Sequence, residues 1–209
     1  MKKCILNLGG SFNPPTVAHL NLLSLARNRL EEEGFTEFHG FLTPTHGNYE
    51  KQGLLGSPIR KELCEKCVEG SDWISVNDFE ISNAEWTKTI ITLNNLKERF
   101  PDSKVFMVCG ADLILRWNNP IWNPDDVHEI LDNFGVCIIS RIDTLDSIIK
   151  QVPVLNGHMQ NVYLIKDNPM EAVSSTYVRN LLSHKKSISG LVVPAVEKYI
   201  KENDLYSEI

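Results

Sequence analysis

The stretch "KCILNLGGSFNPPTVAHL", residues 3–20, runs from an apolar segment through two glycines and two prolines into an amphipathic one. Its first part has the length and composition of a buried strand, and its last part opens a helix near Thr16 that continues to about residue 33. Between them, Gly9 and Gly10 let the backbone take strained angles and come close to a ligand. Ser11 and the N–H groups that follow then face the space above the strand, where a phosphate fits. Thr16 and His19 fall three apart on one face of the first helical turn, beside N–H groups that favour anions. Taken alone, these residues leave two readings open: an anion cradle, or a tight turn followed by a helical histidine with its hydrogen bonds satisfied.

The same rhythm recurs along all 209 residues. Short apolar runs "EFHGFL", "WISV", "KVFMVCG", "GVCIIS" and "NVYLI" alternate with amphipathic stretches at 58–69, 87–99 and 124–133, and further helices are expected at 175–183 and 193–203. That alternation predicts an α/β fold, a mostly parallel sheet with helices on both faces and a C-terminal helical segment from about residue 174. A single domain over 1–209 is expected, with its longest loops at 43–57 and 116–123. In such sheets ligands bind beyond the carboxyl ends of the strands. The segments that follow the apolar runs are accordingly the ones to search: "TPTHGNYEKQG", "GADLILRWNNPIW", "SR" and "DNPMEAVSSTYVR".

Composition narrows the function classes. Apolar residues make up 42% and charged residues 23%, and no run approaches the roughly 20 apolar residues of a membrane span, so a soluble protein without a membrane partner is expected. The formal net charge of −6 argues against a nonspecific nucleic-acid binder. The N-terminal run is broken by Asn7 and the glycines before a secretion signal forms, which points to the cytoplasm; no targeting segment for the nucleus is visible either. Five cysteines, three of them in apolar runs, suit a reducing compartment. Cys64 and Cys67 have no second CxxC or nearby His partner, so they read as half-buried helical thiols rather than a zinc or redox site. No metal-ligand cluster is expected from the protein itself.

Near the other end, "VSSTYVRN" offers Ser174 or Ser175 as a helix cap, with Thr176 and Arg179 on one face of the first turns. This is a second phosphate site or plain capping. Lys51 lies in a Gly-bearing loop, either solvated or placed over a ligand as a point charge. Trp86 and Trp122 are large rings near strand ends, able to sandwich a flat heterocycle or to pack on the protein. Asp112 follows Gly110-Ala111, either accepting from a ribose or amide or capping the helix 113–116.

Together these residues resemble the eukaryotic-type nicotinamide/nicotinate mononucleotide adenylyltransferases, within the nucleotidyltransferases that carry an (H/T)xxH motif. "GGSFNPPTVAHL" is similar to the family's GSFNPxTxxHL signature, and "NYEKQGL", "EWTKT", "CGADL" and "VSSTYVR" resemble its further motifs in order. The ending "LVVPAVEKYIKENDLY" resembles its terminal helix. Two places depart from the pattern: Glu171-Ala172 stands where Asn-Asp is usual, and Ala18 fills the third position of (H/T)xxH.

The resemblance implies a Rossmann-like sheet and transfer of an adenylyl group from ATP to the mononucleotide, giving NAD or its deamido form plus pyrophosphate. It implies that Gly10, Ser11, Phe12, Thr16 and His19 meet the phosphates, that Lys51 covers them, and that Ser175, Thr176 and Arg179 hold the ATP end. His19, Lys51 and Arg179 are the expected catalytic groups. Trp86 and Trp122 are expected to flank the nicotinamide ring, with Thr89, Gly110, Asp112, Ile121 and Arg141 lining that pocket. Mg²⁺ is expected to ride on the ATP phosphates, and a homo-oligomer is implied. The rivals are a transferase acting on another phosphorylated acceptor, such as a pantetheine phosphate, and a silent nucleotide-binding or chaperone-like module. The chemistry suits the residues, because a phosphate monoester has a second pKa near ~6 and attacks without a general base. Alignment and charge stabilisation are what remain for the protein to supply.

Overall fold

A computed structural model describes residues 1–47, 53–140, 145–166 and 168–207. In chain order the elements are β1 (Lys2–Gly10), α1 (Val17–Glu32), β2 (Phe35–Pro44), α2 (Ser57–Val68), β3 (Ile74–Val76), α3 (Phe79–Ser82) and α4 (Thr89–Arg99). They continue with β4 (Ser103–Gly110), α5 (Ala111–Ile114), α6 (Pro124–Asn133), β5 (Gly135–Ile139), α7 (Leu145–Gln151), β6 (Val162–Ile165), α8 (Ser175–Ser183) and α9 (Pro194–Glu202). All six apolar runs become strands. The expected loop at 116–123 begins instead with a tight 3₁₀ turn over Leu115–Asn118, and Thr43 and Pro44 extend β2 into the other expected loop.

The sheet order is β3-β2-β1-β4-β5-β6, with parallel pairing of β1 to β4, β4 to β5 and β5 to β6. This is the doubly wound Rossmann-like order, whose direction reverses beside β1. Helices cover both faces of such a sheet, so its central strands need apolar side chains at successive positions rather than at alternate ones. Cys4 to Leu8, Val105 to Cys109 and Gly135 to Ile139 are each buried without interruption.

By density of contact the chain forms two units. The first comprises Met1–Leu8, Leu22–Gly40 and Lys88–Pro169. Its centre is Phe106, which meets Phe35 edge-on at 5.2 Å and Tyr163 at 5.8 Å. Phe106 lies opposite Gly135 in the β4–β5 register, and a Cβ on that glycine would overlap the Phe106 ring. Only glycine leaves room there. Outside the sheet, Asn123 caps α6 by accepting the Asp125 N–H at 2.9 Å, Pro124 follows it, and Val127, Ile130 and Leu131 are buried.

The second unit comprises Gly9–Asn21, Phe41–Thr87 and Met170–Ile209. Here α2 packs on α9 and β3, burying Leu63, Cys64 and Cys67. Both thiols are deeper than the half-buried position expected of them, because the helix face they share is covered by α9 and β3 rather than by solvent. All five cysteines are free and buried. Burial pushes the Cys67 thiol up to about 12, which keeps it protonated and unreactive.

Candidate active site

The loop that follows β1, the candidate phosphate cradle, belongs to the second unit. β1 ends at Gly10, whose carbonyl accepts the Thr45 N–H at 2.9 Å. A Cβ on Gly10 would stand 3.3 Å from the Phe12 ring, a tight approach. Phe12 itself is 1% exposed and has φ +45°, a left-handed conformation that costs a non-glycine residue about 1–3 kcal/mol and persists only where the surroundings enforce it. The Phe12 and Asn13 N–H groups have no acceptor among the described residues. Buried N–H groups are rarely left unpaired, so these suit an anionic ligand.

At the start of α1 the Thr16 N–H donates to His19 Nδ1 at 2.9 Å, and the Thr16 hydroxyl lies 2.9 Å from the same nitrogen. An Nδ1 that accepts from an amide carries no proton, so the ring proton sits on Nε2. Burial pushes the imidazole down to about 4, so it is neutral near pH 7. Phe12 supports the ring edge-on at 5.0 Å. The two ends of the TxxH motif therefore form one device, in which Thr16 sets the tautomer and leaves His19 a single N–H donor.

The start of α8 closes on the same loop. Ser174, not Ser175, is the cap, accepting the Tyr177 N–H at 3.1 Å. The Ser175 hydroxyl donates instead to the Pro14 carbonyl at 2.7 Å. Arg179 donates through Nη1 to the Asn13 carbonyl at 2.8 Å and through Nη2 to Thr176 Oγ1 at 3.3 Å. Two helix N-termini, favourable to anions, are thus tied to one loop.

Three residues that sequence reasoning passed over brace this loop, Asn13 from within it and Tyr206 and Arg60 from outside it. The Asn13 side chain accepts from the Tyr206 hydroxyl at 2.9 Å and the Leu55 N–H at 3.3 Å, and donates to the Gly53 carbonyl at 2.8 Å. Arg60 is wholly buried and donates to the carbonyls of Ser11, Thr45 and Leu55. Asn13 was visible only as part of a motif. Arg60 carried a usable signal: it shares the 60, 63, 64, 67 spacing with Leu63, Cys64 and Cys67, which puts a charge on a buried helix face.

The remaining candidates are placed as follows. Lys51 and Arg141 lie outside the described residues. In the second unit Trp86 is 46% exposed, next to Thr87, whose hydroxyl accepts from Asn83 at 2.8 Å. In the first unit Thr89 opens α4, and Ile121 is 75% exposed beside a half-buried Trp122 whose ring lies 5.9 Å from Trp117. Gly110 rather than Asp112 caps α5, and the Asp112 side chain is exposed, 4.0 Å from Arg116. A capping role for Asp112 is thereby excluded.

The doubly wound sheet, with its first strand running through the Gly9–Pro15 loop into the TxxH helix, matches a model of the cytidylyltransferase-like family over residues 7–181. Nicotinamide/nicotinic acid mononucleotide adenylyltransferases are similar along the whole chain. The protein of Arabidopsis thaliana is 31% identical over 100% of this chain and 92% of its own. A second, from Caenorhabditis elegans, is 32% identical over 100% of both chains. The chain belongs to this adenylyltransferase family within the cytidylyltransferase-like proteins. A Plasmodium falciparum nicotinic acid mononucleotide adenylyltransferase, solved with NaAD, shares the fold with a TM-score of 0.72 at 24% identity, covering 98% of this chain and 97% of that one.

Proposed function

We propose that the protein transfers the adenylyl group of ATP to nicotinamide mononucleotide, nicotinate mononucleotide or both, releasing pyrophosphate and forming NAD or deamido-NAD. The observation that carries this reading is the loop Gly10–Pro14, with unpaired N–H groups and the N-termini of α1 and α8 tied to it. A phosphate oxygen of the mononucleotide, already ionised at neutral pH, forms the new bond to the α-phosphorus of ATP. The bond from that phosphorus to the bridging oxygen breaks, and its electron pair leaves with pyrophosphate. His19 Nε2–H, the loop N–H groups and the free donors of Arg179 stabilise the charge that builds on the phosphates. The Ser175 hydroxyl is already used on Pro14, so this residue serves the phosphates through its N–H. Among the described residues the groups bonded around the loop are hydrogen-bond donors rather than carboxylates, which suits ATP entering with Mg²⁺ on its own oxygens.

On the same reading Trp86, Thr89, Gly110, Asp112, Ile121 and Trp122 serve the mononucleotide, supported by exposed apolar surface on Trp86 and Ile121. Five buried free cysteines fit a reducing cytoplasm. A coupled pyrophosphate assay with ATP, Mg²⁺ and either mononucleotide tests the activity. Pyrophosphate release that requires the mononucleotide is expected. ATP binding without release would leave a silent nucleotide-binding module, and release only with a different phosphorylated acceptor would move the substrate assignment.

A further inference from the structure

We propose that Arg60 is a positioning residue for the triphosphate: its buried guanidinium fixes the Ser11–Phe12 peptide so that the phosphate loop presents its N–H groups to ATP. The inference rests on the adenylyltransferase reading for the identity of the anion, and on the geometry for the rest. Arg60 donates through Nε to the Leu55 carbonyl at 2.9 Å, through Nη1 to Ser11 at 3.0 Å, and through Nη2 to Thr45 at 2.6 Å and Ser57 Oγ at 3.3 Å. Every acceptor is a neutral oxygen, and no carboxylate pairs with Arg60 among the described residues. A buried cation held only by neutral oxygens is costly, and a helix position that needed only packing would be filled by an apolar side chain.

The peptide geometry says what the charge accomplishes. In a planar trans peptide the carbonyl and N–H point in opposite directions. Turning the Ser11 carbonyl toward Arg60 therefore turns the Phe12 N–H away from it, and that N–H is one of the two with no acceptor among the described residues. A charge-assisted bond to the carbonyl also polarises the peptide and strengthens its donor. The same guanidinium holds Thr45, which bonds to Gly10, and Leu55, which bonds to Asn13, so it links three segments around the left-handed Phe12. Lysine keeps the charge but lacks the planar fork that reaches three carbonyls at once.

The test uses Arg60→Lys and Arg60→Met in the full chain. Inorganic tripolyphosphate binding is measured by calorimetry, steady-state constants for both substrates are determined, and folding is checked by circular dichroism. Folded Arg60→Lys is expected to bind tripolyphosphate at least tenfold more weakly and to lose a similar factor in kcat/KM for ATP. Its KM for the mononucleotide stays within twofold, a split that a general loss of fold does not produce. Arg60→Met loses at least as much. Tripolyphosphate affinity within twofold of wild type in a folded variant overturns the proposal, as does a wild-type protein that does not bind tripolyphosphate. If neither variant folds, hydrogen exchange at Arg60 Nε–H in the wild type decides: severalfold slowing on adding tripolyphosphate supports the role, and an unchanged rate overturns it. Wild-type binding of tripolyphosphate without pyrophosphate release from ATP would sink the adenylyltransferase reading while leaving Arg60 to be judged on binding.

Discussion

The sheet around Phe106 and the loop around Asn13 are buried to the same degree and held by opposite means. Phe106 is surrounded by Phe35, Tyr163 and the bare backbone of Gly135, and loses nothing if its neighbours are greasy and of the right shape. Asn13, 1% exposed, is instead surrounded by donors and acceptors: Tyr206, Leu55, Gly53 and, on its carbonyl, Arg179. Apolar packing gives stability but little directional control. A loop that must aim N–H groups at an anion needs directional bonds, and the second unit buries polar side chains to obtain them.

Substitutions on the two sides of this contrast should fail differently. Phe106→Ala removes the central ring of the first unit and should cost about 3–5 kcal/mol of stability. Its folded fraction, measured by denaturant titration alongside turnover, should keep its kcat within a few-fold; a collapse of kcat in fully folded protein would break the division. His19→Ala reverses the pattern, losing about 100-fold in kcat as expected for one donor to the developing charge. Turnover within threefold of wild type would remove His19 from the mechanism.

Smaller changes sharpen the comparison. Tyr206→Phe deletes one hydroxyl bond to Asn13 and should cost about 0.5–1.5 kcal/mol in unfolding free energy. Its KM for ATP should rise in parallel if the loop that holds Asn13 binds the phosphates as proposed. An unchanged unfolding midpoint would mean that the C-terminal segment does not brace this loop. A further effect is expected with pH. The folded His19 has its pKa lowered to about 4 from an unfolded value near 6.5, so the unfolded chain binds more protons between those values. The contribution of this residue to stability is complete above about pH 6.5 and is lost as pH falls toward 4. His19→Gln, which does not titrate, should lose less stability across that window than wild type, and parallel curves would contradict the assigned burial.

The sequence made the strands legible because strands of a sheet covered on both faces read as short, mostly apolar runs, and all six such runs form strands. Thr16 with His19, and Thr176 with Arg179, were legible as pairs because a spacing of three on a first helical turn puts both residues on one face, where the structure joins them. Arg60 and Tyr206 were not, since nearly all the acceptors of Arg60 are backbone carbonyls that no residue type announces, and Tyr206 reaches Asn13 across 193 residues. Ser175 shows a further limit. The sequence left the cap open between Ser174 and Ser175, and the family resemblance implied a phosphate role for Ser175; Ser174 took the cap, and the Ser175 hydroxyl donates to Pro14.

The central claim is that the α-phosphorus of ATP ends in a dinucleotide. ATP labelled at the α-phosphorus, incubated with the protein, Mg²⁺ and nicotinamide or nicotinate mononucleotide, tests it most directly. The account predicts label in NAD or deamido-NAD, and label in pyrophosphate when the γ-phosphorus is marked instead. Label remaining in ATP, or appearing in inorganic phosphate without a dinucleotide, would contradict it.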